Sequence, residues 1–221
     1  PLTNTRTDLA ALYADLGAVA RGLEMARAAL SVAKSEDYAD RAPALAVLAH
    51  LRLLNGDHAE AEARIEEARG DLDRDAWLFT FITALLAESR LTLQQADYER
   101  CLAVTDNLLT QSHQHGIRFY VPEALYVKGK ALLGLGREEA AREHLLEARA
   151  EAETLGSRRM LWRILDALGR LETDPSRRAA LRQEARQVIR TIVAHIDQDD
   201  LRASFLSSPD VRAAIRPLET G

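Results

Sequence analysis

The chain has 221 residues, 47% of them apolar and only 5% aromatic, and carries a formal net charge of −5. Ala, Leu, Arg and Glu dominate while the β-branched and aromatic residues that fill strands are scarce, which argues against wholesale disorder and for helices throughout. The acidic balance speaks against direct nucleic-acid binding, which runs on surplus Lys and Arg, and no apolar run approaches the ~20 residues that span a bilayer. No secretory leader stands at the N-terminus, and the single Cys101 can form no internal disulfide. Both fit a reducing cytoplasm. Because the chain starts at Pro1 rather than Met, it reads as part of a longer protein.

Taken in chain order, the first unit is expected over residues 3–37, with two helices meeting at Gly17. The second, 38–74, turns at Asn55-Gly56-Asp57. Gly56 stands where left-handed backbone ends a helix without steric cost, and Asp57 with Glu60 three residues on reads as a capping box. The third, 75–116, turns at Gln95-Ala96-Asp97, and the fourth, 117–156, at Leu135-Gly136-Arg137. The fifth, 157–197, turns at Asp174-Pro175-Ser176, where an N-cap Asp precedes a proline at the first helical position. Turns this short make the helices of a unit antiparallel. Links between units fall near 34–40, 70–75, 111–119 and 154–159. A cap over 198–216 follows: the run from Asp197 to Asp200 N-caps a short amphipathic helix that packs Leu201, Phe205 and Leu206 over the last pair.

The turn residues Gly56, Ala96 and Gly136 are 40 apart, and the same step lands beside Gly17 and on Ser176. Other columns keep this register. Seven residues before each stand Ala10, Ala49, Ser89, Gly129 and Gly169, all small; five after come Gly22, Ala61, Cys101, Ala141 and Leu181. Twelve after come Ala29, Ala68, Leu108, Ala148 and Val188, and eleven before come Arg6, Leu45, Leu85, Leu125 and Leu165. Small residues let the two helices of a unit approach closely, and the Leu and Val columns fill the space between successive pairs. One pair cannot bury its apolar face alone; a stack of about five can.

The sequence L-x-x-A/G, a Gly-Asp-type turn and A-x-x-x-I/L-x-x-A is visible as Leu45, Leu48, Ala49, Gly56, Asp57, Ala61, Ile65 and Ala68. It recurs as Leu125, Gly129, Leu132, Gly136, Ala141, Leu145 and Ala148. This pattern resembles the tetratricopeptide repeat (TPR) family over about residues 5–195. It departs in its longer period, against about 34 in that family, and in lacking the proline that commonly closes a repeat. Longer repeats of this kind look like the C-terminal arms of bacterial multidomain regulators of the maltose-regulon-activator type, and like the tails of ATPases, kinases and nucleotide cyclases. The run from Leu201 to Leu206 with Pro209, Val211 and Arg212 is similar to the extreme C-terminus of such tails, which places residue 221 near a natural chain end. The resemblance implies an all-α, right-handed α-α superhelix, one domain over 1–221, with the first helix of each unit lining a concave groove.

Six residues before each turn residue stand Ala11, His50, Arg90, Lys130 and Arg170, a column basic in four units of five. Three or four residues earlier on the same helices lie Leu86, Tyr126 and Asp166. If this column lines the groove, as the resemblance implies, it selects an acidic or C-terminal-carboxylate peptide. The plainer reading is that exposed helical positions carry Arg and Lys routinely and pair with neighbouring carboxylates. The partner-binding candidates are therefore His50, Leu86, Arg90, Tyr126, Lys130 and Arg170. Trp77, Phe79, Phe81, Phe119, Tyr120 and Tyr126 are either inter-repeat core or partner anchors.

Other constellations carry less. The i,i+2 spacing of His113 and His115 turns them to different sides of a helix end, and the run from Asp197 to Asp200 lacks the glycine and closing Glu of a calcium loop. Neither nucleotide-binding glycine fingerprint occurs, and Cys101 falls in a packed column as a core thiol. With no nucleophile–base pair, metal set or phosphate cradle, no enzyme activity and no cofactor are expected. The expected function is a protein–protein interaction or sensor module at the C-terminal end of a larger bacterial signalling or transcription-regulatory protein. Its partner is a peptide, another domain of the same chain or a sister subunit. The alternative is a small-molecule effector domain, as the resemblance to the maltose-regulon-type arm implies; it predicts an enclosed apolar pocket with a few convergent polar groups. Fold analogy alone does not choose between them.

Overall fold

The computed structural model describes residues 2–33, 38–72 and 78–216. The expected links near 34–40 and 70–75 fall largely outside these residues, as do Trp77 and the side chain of Phe79. The described residues form helices α1 (Leu2–Asp15), α2 (Val19–Val32), α3 (Tyr38–Leu54), α4 (His58–Leu72), α5 (Leu78–Gln94) and α6 (Tyr98–Gln114). Then come α7 (Val121–Gly134), α8 (Glu138–Thr154), α9 (Arg158–Leu171), α10 (Pro175–Ala194), α11 (Asp199–Ser207) and α12 (Pro209–Ile215). No strand occurs among the described residues.

What cuts the chain into hairpins is one turn used repeatedly. Gly17, Gly56, Ala96 and Gly136 have φ of 69°, 81°, 57° and 73°. Left-handed backbone there folds the chain back so that the next N–H reaches a carbonyl five residues earlier: Asp57 to Arg52 at 2.9 Å, Asp97 to Thr92 at 3.0 Å and Arg137 to Leu132 at 2.9 Å. The same turn recurs between units at Gly116 and Gly156, where Ile117 reaches Ser112 at 2.9 Å and Ser157 reaches Ala152 at 2.8 Å. The fifth turn is different. Ser176 is helical, inside the first turn of α10, and α9 instead ends on extended backbone at Glu172. Asp174 caps α10 ahead of Pro175, accepting from the Arg177 N–H at 2.7 Å.

Two expected caps are replaced. Asp57 makes no capping box with Glu60; its carboxylate accepts from Arg52 Nη1 at 2.9 Å and Asn55 Nδ2 at 2.8 Å. Asp57 spans the end of one helix and the start of the next, so the longer side chains reach it first. No Asp caps α11 either: its N-cap residue is Gln198, and Asp200 instead pairs with Arg21 at 2.7 Å.

The repeated columns are the core. Ala10, Ala49 and Ser89 are fully buried, as are Ala61, Cys101 and Ala141 on the facing helices. Leu45, Leu108, Leu125, Leu145 and Leu165, together with Ile65, fill the space between them at 2% exposure or less. Each such side chain contributes about 1.5–3 kcal/mol on burial. At Gly129 an added Cβ would stand 2.9 Å from Leu145 Cγ, which shows how closely α7 and α8 approach. The first helices α1, α3, α5 and α7 pack side by side, whereas the second helices make little direct contact with one another. The first helices therefore line the inner curve.

The two ends of the array meet. Leu16 and Ala18, at the α1–α2 turn, share one apolar cluster with Trp162 of α9, Ile189 of α10, Leu201 and Phe205 of α11 and Val211 of α12. Gly17 is wedged there as well, since a Cβ on it would stand 3.1 Å from the Ser204 carbonyl oxygen. The cap thus packs on the last pair, as expected, and on the first pair too.

Ala96 is the one described non-glycine residue with positive φ, whereas nothing lies within 4 Å of a Cβ built on Gly56. Ala96→Gly is expected to stabilise the array and Gly56→Ala to destabilise it, each by about 1 kcal/mol. Paired urea denaturation curves check the opposite signs.

Candidate functional site

The inner faces of α1, α3, α5 and α9, with the residues entering α7, converge on a cavity of about 370 Å³. Ala11 and Leu12 come from α1, Ala46, Val47 and His50 from α3, and Leu86 and Arg90 from α5. Phe119 and Tyr120 come from the turn before α7, and Arg159 from α9. The walls are mainly apolar. Leu12 and Phe119 are 50% and 63% exposed and so mark the opening. Phe119 is held edge-on to Tyr120, with ring centroids 5.0 Å apart, and lies under the Arg159 guanidinium at 5.6 Å.

Behind the cavity lies a chain of charges. Glu123 of α7 is 7% exposed and accepts from Arg90 Nε at 2.8 Å and from Arg90 Nη2. Its second oxygen lies 2.9 Å from Arg159 Nη1, an ion pair without hydrogen-bond alignment. Arg159 Nη1 also stands 3.5 Å from Asp15 of α1. Burial alone would raise the Glu123 carboxyl, but Arg90 and Arg159 overcome it and hold the group well below the usual carboxylate range. Burial works against the Arg159 charge, and Glu123 and Asp15 keep it on. His50 behaves oppositely: burial, and then Arg90, push its pKa well below the ordinary value, so its ring is neutral at physiological pH. Its Nδ1 is sealed from solvent and has no hydrogen-bond partner. Burial pushes the Tyr120 hydroxyl up to about 12.

A second recess opens between α7, α9 and α12. It has a volume of about 70 Å³ and is lined by Tyr126, Lys130, Trp162, Arg163, Asp166, Arg170 and Asp210, among others. Arg170 Nε pairs with Asp166 at 2.8 Å, and Arg163 stands 3.6 Å from Asp210 while stacking on Trp162 at 4.7 Å. Lys130 forms no ion pair among the described residues. The recess therefore holds three cations against two carboxylates.

The six partner-binding candidates thus divide. His50, Leu86 and Arg90 go to the central cavity; Tyr126, Lys130 and Arg170 go to the polar recess. They do not form a ladder of free cations: His50 is neutral, Arg90 is held by Glu123 and Arg170 by Asp166. Leu86 is buried at 3% exposure, and burial pushes Tyr126 up to about 12. The sequence reading overlooked Glu123, Arg159 and Asp15; Phe119, read there as core or anchor, is exposed at the cavity mouth. Glu123 begins a helix beside Pro122, where a carboxylate reads as a favourable helix start; only its burial reveals the other role. Cys101 is fully buried, its Sγ 3.4 Å from the Ser89 carbonyl oxygen, and burial pushes its thiol up to about 11. Phe81 and Tyr120 pack against the core, while His113 and His115 are exposed at the end of α6.

No protein-family profile matches the chain, and no curated protein sequence does. Solved structures do match. The crystal structure of BtubC (BKLC) from P. vanneervenii has a TM-score of 0.58 and 17% identity, covering 91% of this chain and 87% of that one. Two crystal structures of a P. anserina putative kinesin light chain with nearly identical TPR-like repeats have a TM-score of 0.54 and 17% identity. They cover 93% of this chain and 96% and 97% of theirs. The likeness establishes the fold: an all-α, TPR-like α-α superhelix.

The buried network makes the array acid-sensitive in two stages. The His50 pKa is lowered in the fold, so below the ordinary value of 6.5 the unfolded chain takes up that proton first and stability falls with pH. The Glu123 contribution is complete above the ordinary carboxyl value of 4.5 and is lost as pH falls further towards its depressed folded value. His50→Phe is expected to flatten the drop in melting temperature between about pH 7 and pH 5. Glu123→Gln, which takes the carboxylate charge from Arg90 and leaves Arg159 only Asp15, is expected to cost about 3–5 kcal/mol in chemical denaturation at neutral pH.

Proposed function

We propose that this chain is a protein-interaction and sensor module with no catalytic role of its own, acting as one solenoid domain over 1–221. Its partner is a protein or peptide segment bearing a carboxylate, which docks on the inner face of α7 and α9. The observation that carries this reading is Lys130, which lines a recess beside Arg163 and Arg170 and forms no ion pair among the described residues. A partner carboxylate there gains charge-assisted hydrogen bonds without having to displace an existing salt bridge to Lys130. The segment comes from another protein, from another domain of a longer chain or from a sister subunit. A cytoplasmic place in a bacterial signalling or transcription-regulatory protein is supported by the sequence resemblance to long-repeat regulator arms.

A small-molecule effector role is a second reading, favoured by one observation. The inner face holds a mainly apolar cavity with a few polar side chains, open between Leu12 and Phe119.

Selection from a random peptide display library with free C-termini tests the first reading. Peptides with acidic side chains or a C-terminal carboxylate near an apolar residue are expected to enrich. Lys130→Glu is expected to weaken the selected peptides about tenfold or more, with unfolding unchanged. Equal affinity for the variant, or no acidic enrichment, removes the reading. Arg90 is unsuited to this test, because reversing it would break the pair with Glu123.

A further inference from the structure

We propose that the central cavity is a binding site for a compact, uncharged, largely apolar molecule that makes one hydrogen bond to the neutral imidazole of His50. This is a different recess from the one around Lys130, and the inference stands independently of peptide docking.

Three observations converge. First, the volume of about 370 Å³ lies within the ~300–1,000 Å³ of small-molecule sites. Ala11, Ala46, Val47, Leu86 and Phe119 give its wall an apolar stretch on which a ligand's apolar body can lie.

Second, the buried charges around the cavity are engaged with one another. Arg90 and Arg159 are held by Glu123, and Arg159 also by Asp15, while the remaining carboxylate of the lining, Asp8, is exposed and keeps its hydration, so it offers a ligand cation little. An anion entering here loses its hydration and meets no free cation; a cation must compete with arginines for their carboxylates. A neutral molecule meets neither cost.

Third, one polar side chain of the lining is left over. His50 lines the cavity half-buried and makes no hydrogen bond among the described residues; its Nδ1 is sealed off, so the nitrogen open to a ligand is Nε2. A ligand donor or acceptor bonded there recovers part of what desolvating the ring costs. Because the neutral ring can carry its proton on either nitrogen, the position serves a hydroxyl or an N–H.

The wall formed by α1 belongs to the hairpin that meets the cap, so a molecule held between α1, α5 and α9 also favours closure of the ends. Binding should therefore raise the melting temperature.

p-Cresol titrated into the 221-residue chain tests this, followed by the imidazole nitrogen resonances of His50 and by thermal unfolding. A saturable shift at His50 and a rising melting temperature are expected. Benzoate and benzylammonium, of similar size but charged, are expected to bind about tenfold or more weakly. His50→Phe should weaken p-cresol about fivefold by thermal shift, Ala11→Trp should abolish binding by filling the space, and Lys130→Glu should leave it unchanged. Non-saturable shifts, benzoate or benzylammonium binding as tightly as p-cresol, or undiminished binding to folded Ala11→Trp would each overturn the proposal. Should Ala11→Trp fail to fold, the charge series on the wild-type chain decides alone. Loss of peptide binding in Lys130→Glu with p-cresol retained separates this site from the peptide recess.

Discussion

The arrangement of the inner face depends on one buried carboxylate. Glu123 stands between Arg90 and Arg159, and Arg159 reaches on to Asp15, so four side chains tie α5, α7, α9 and α1 together in sequence. Nearest-neighbour packing fixes each helix pair against the next, but it says little about units four apart. This relay does. Buried ion pairs are seldom retained for net stability, since apolar replacements of the same shape often do as well. Here the relay fixes which inner helices face each other across the cavity, and it consumes the charge that would otherwise make the face strongly cationic.

Much of the scaffold was legible because the repeat writes the same physics several times. The small columns at Ala49, Ser89 and Gly129 and the Leu columns at Leu45, Leu85 and Leu125 fall where helices touch, and the structure buries all of them. The turn at Asp174 was legible in its cap and its proline, but not in its register: Ser176 keeps the spacing by number while the backbone there is helical. Gly116 and Gly156 carried a signal that a forty-residue comparison passes over. They repeat the turn at half that step, so the joints at Gly116 and Gly156 are built like those at Gly56, Ala96 and Gly136.

The site was legible only in outline. Position along a helix placed His50, Arg90, Lys130 and Arg170 on one inner face, and composition supplied their charge, but whether a charge is free depends on residues far away in the chain. Arg90 is neutralised from 33 positions downstream, and His50 loses its charge to burial. Nothing in a repeat pattern marks the approach of the first hairpin to the cap either. Leu16, Ala18 and Gly17 look like ordinary turn residues until Phe205 and Ser204 are set against them.

That closure has a consequence for how the molecule is made. Most of its contacts join segments adjacent in sequence, which allows helices to form and stack locally as the chain emerges. The bridge from Arg21 to Asp200 joins residues 179 apart, and the loop entropy of bringing them together is recovered only when the last helices exist. Assembly therefore has a final event that early stacking cannot anticipate. The number of units is constrained as well: an extra hairpin, harmless in an open-ended stack, would separate the surfaces that this event must bring into register.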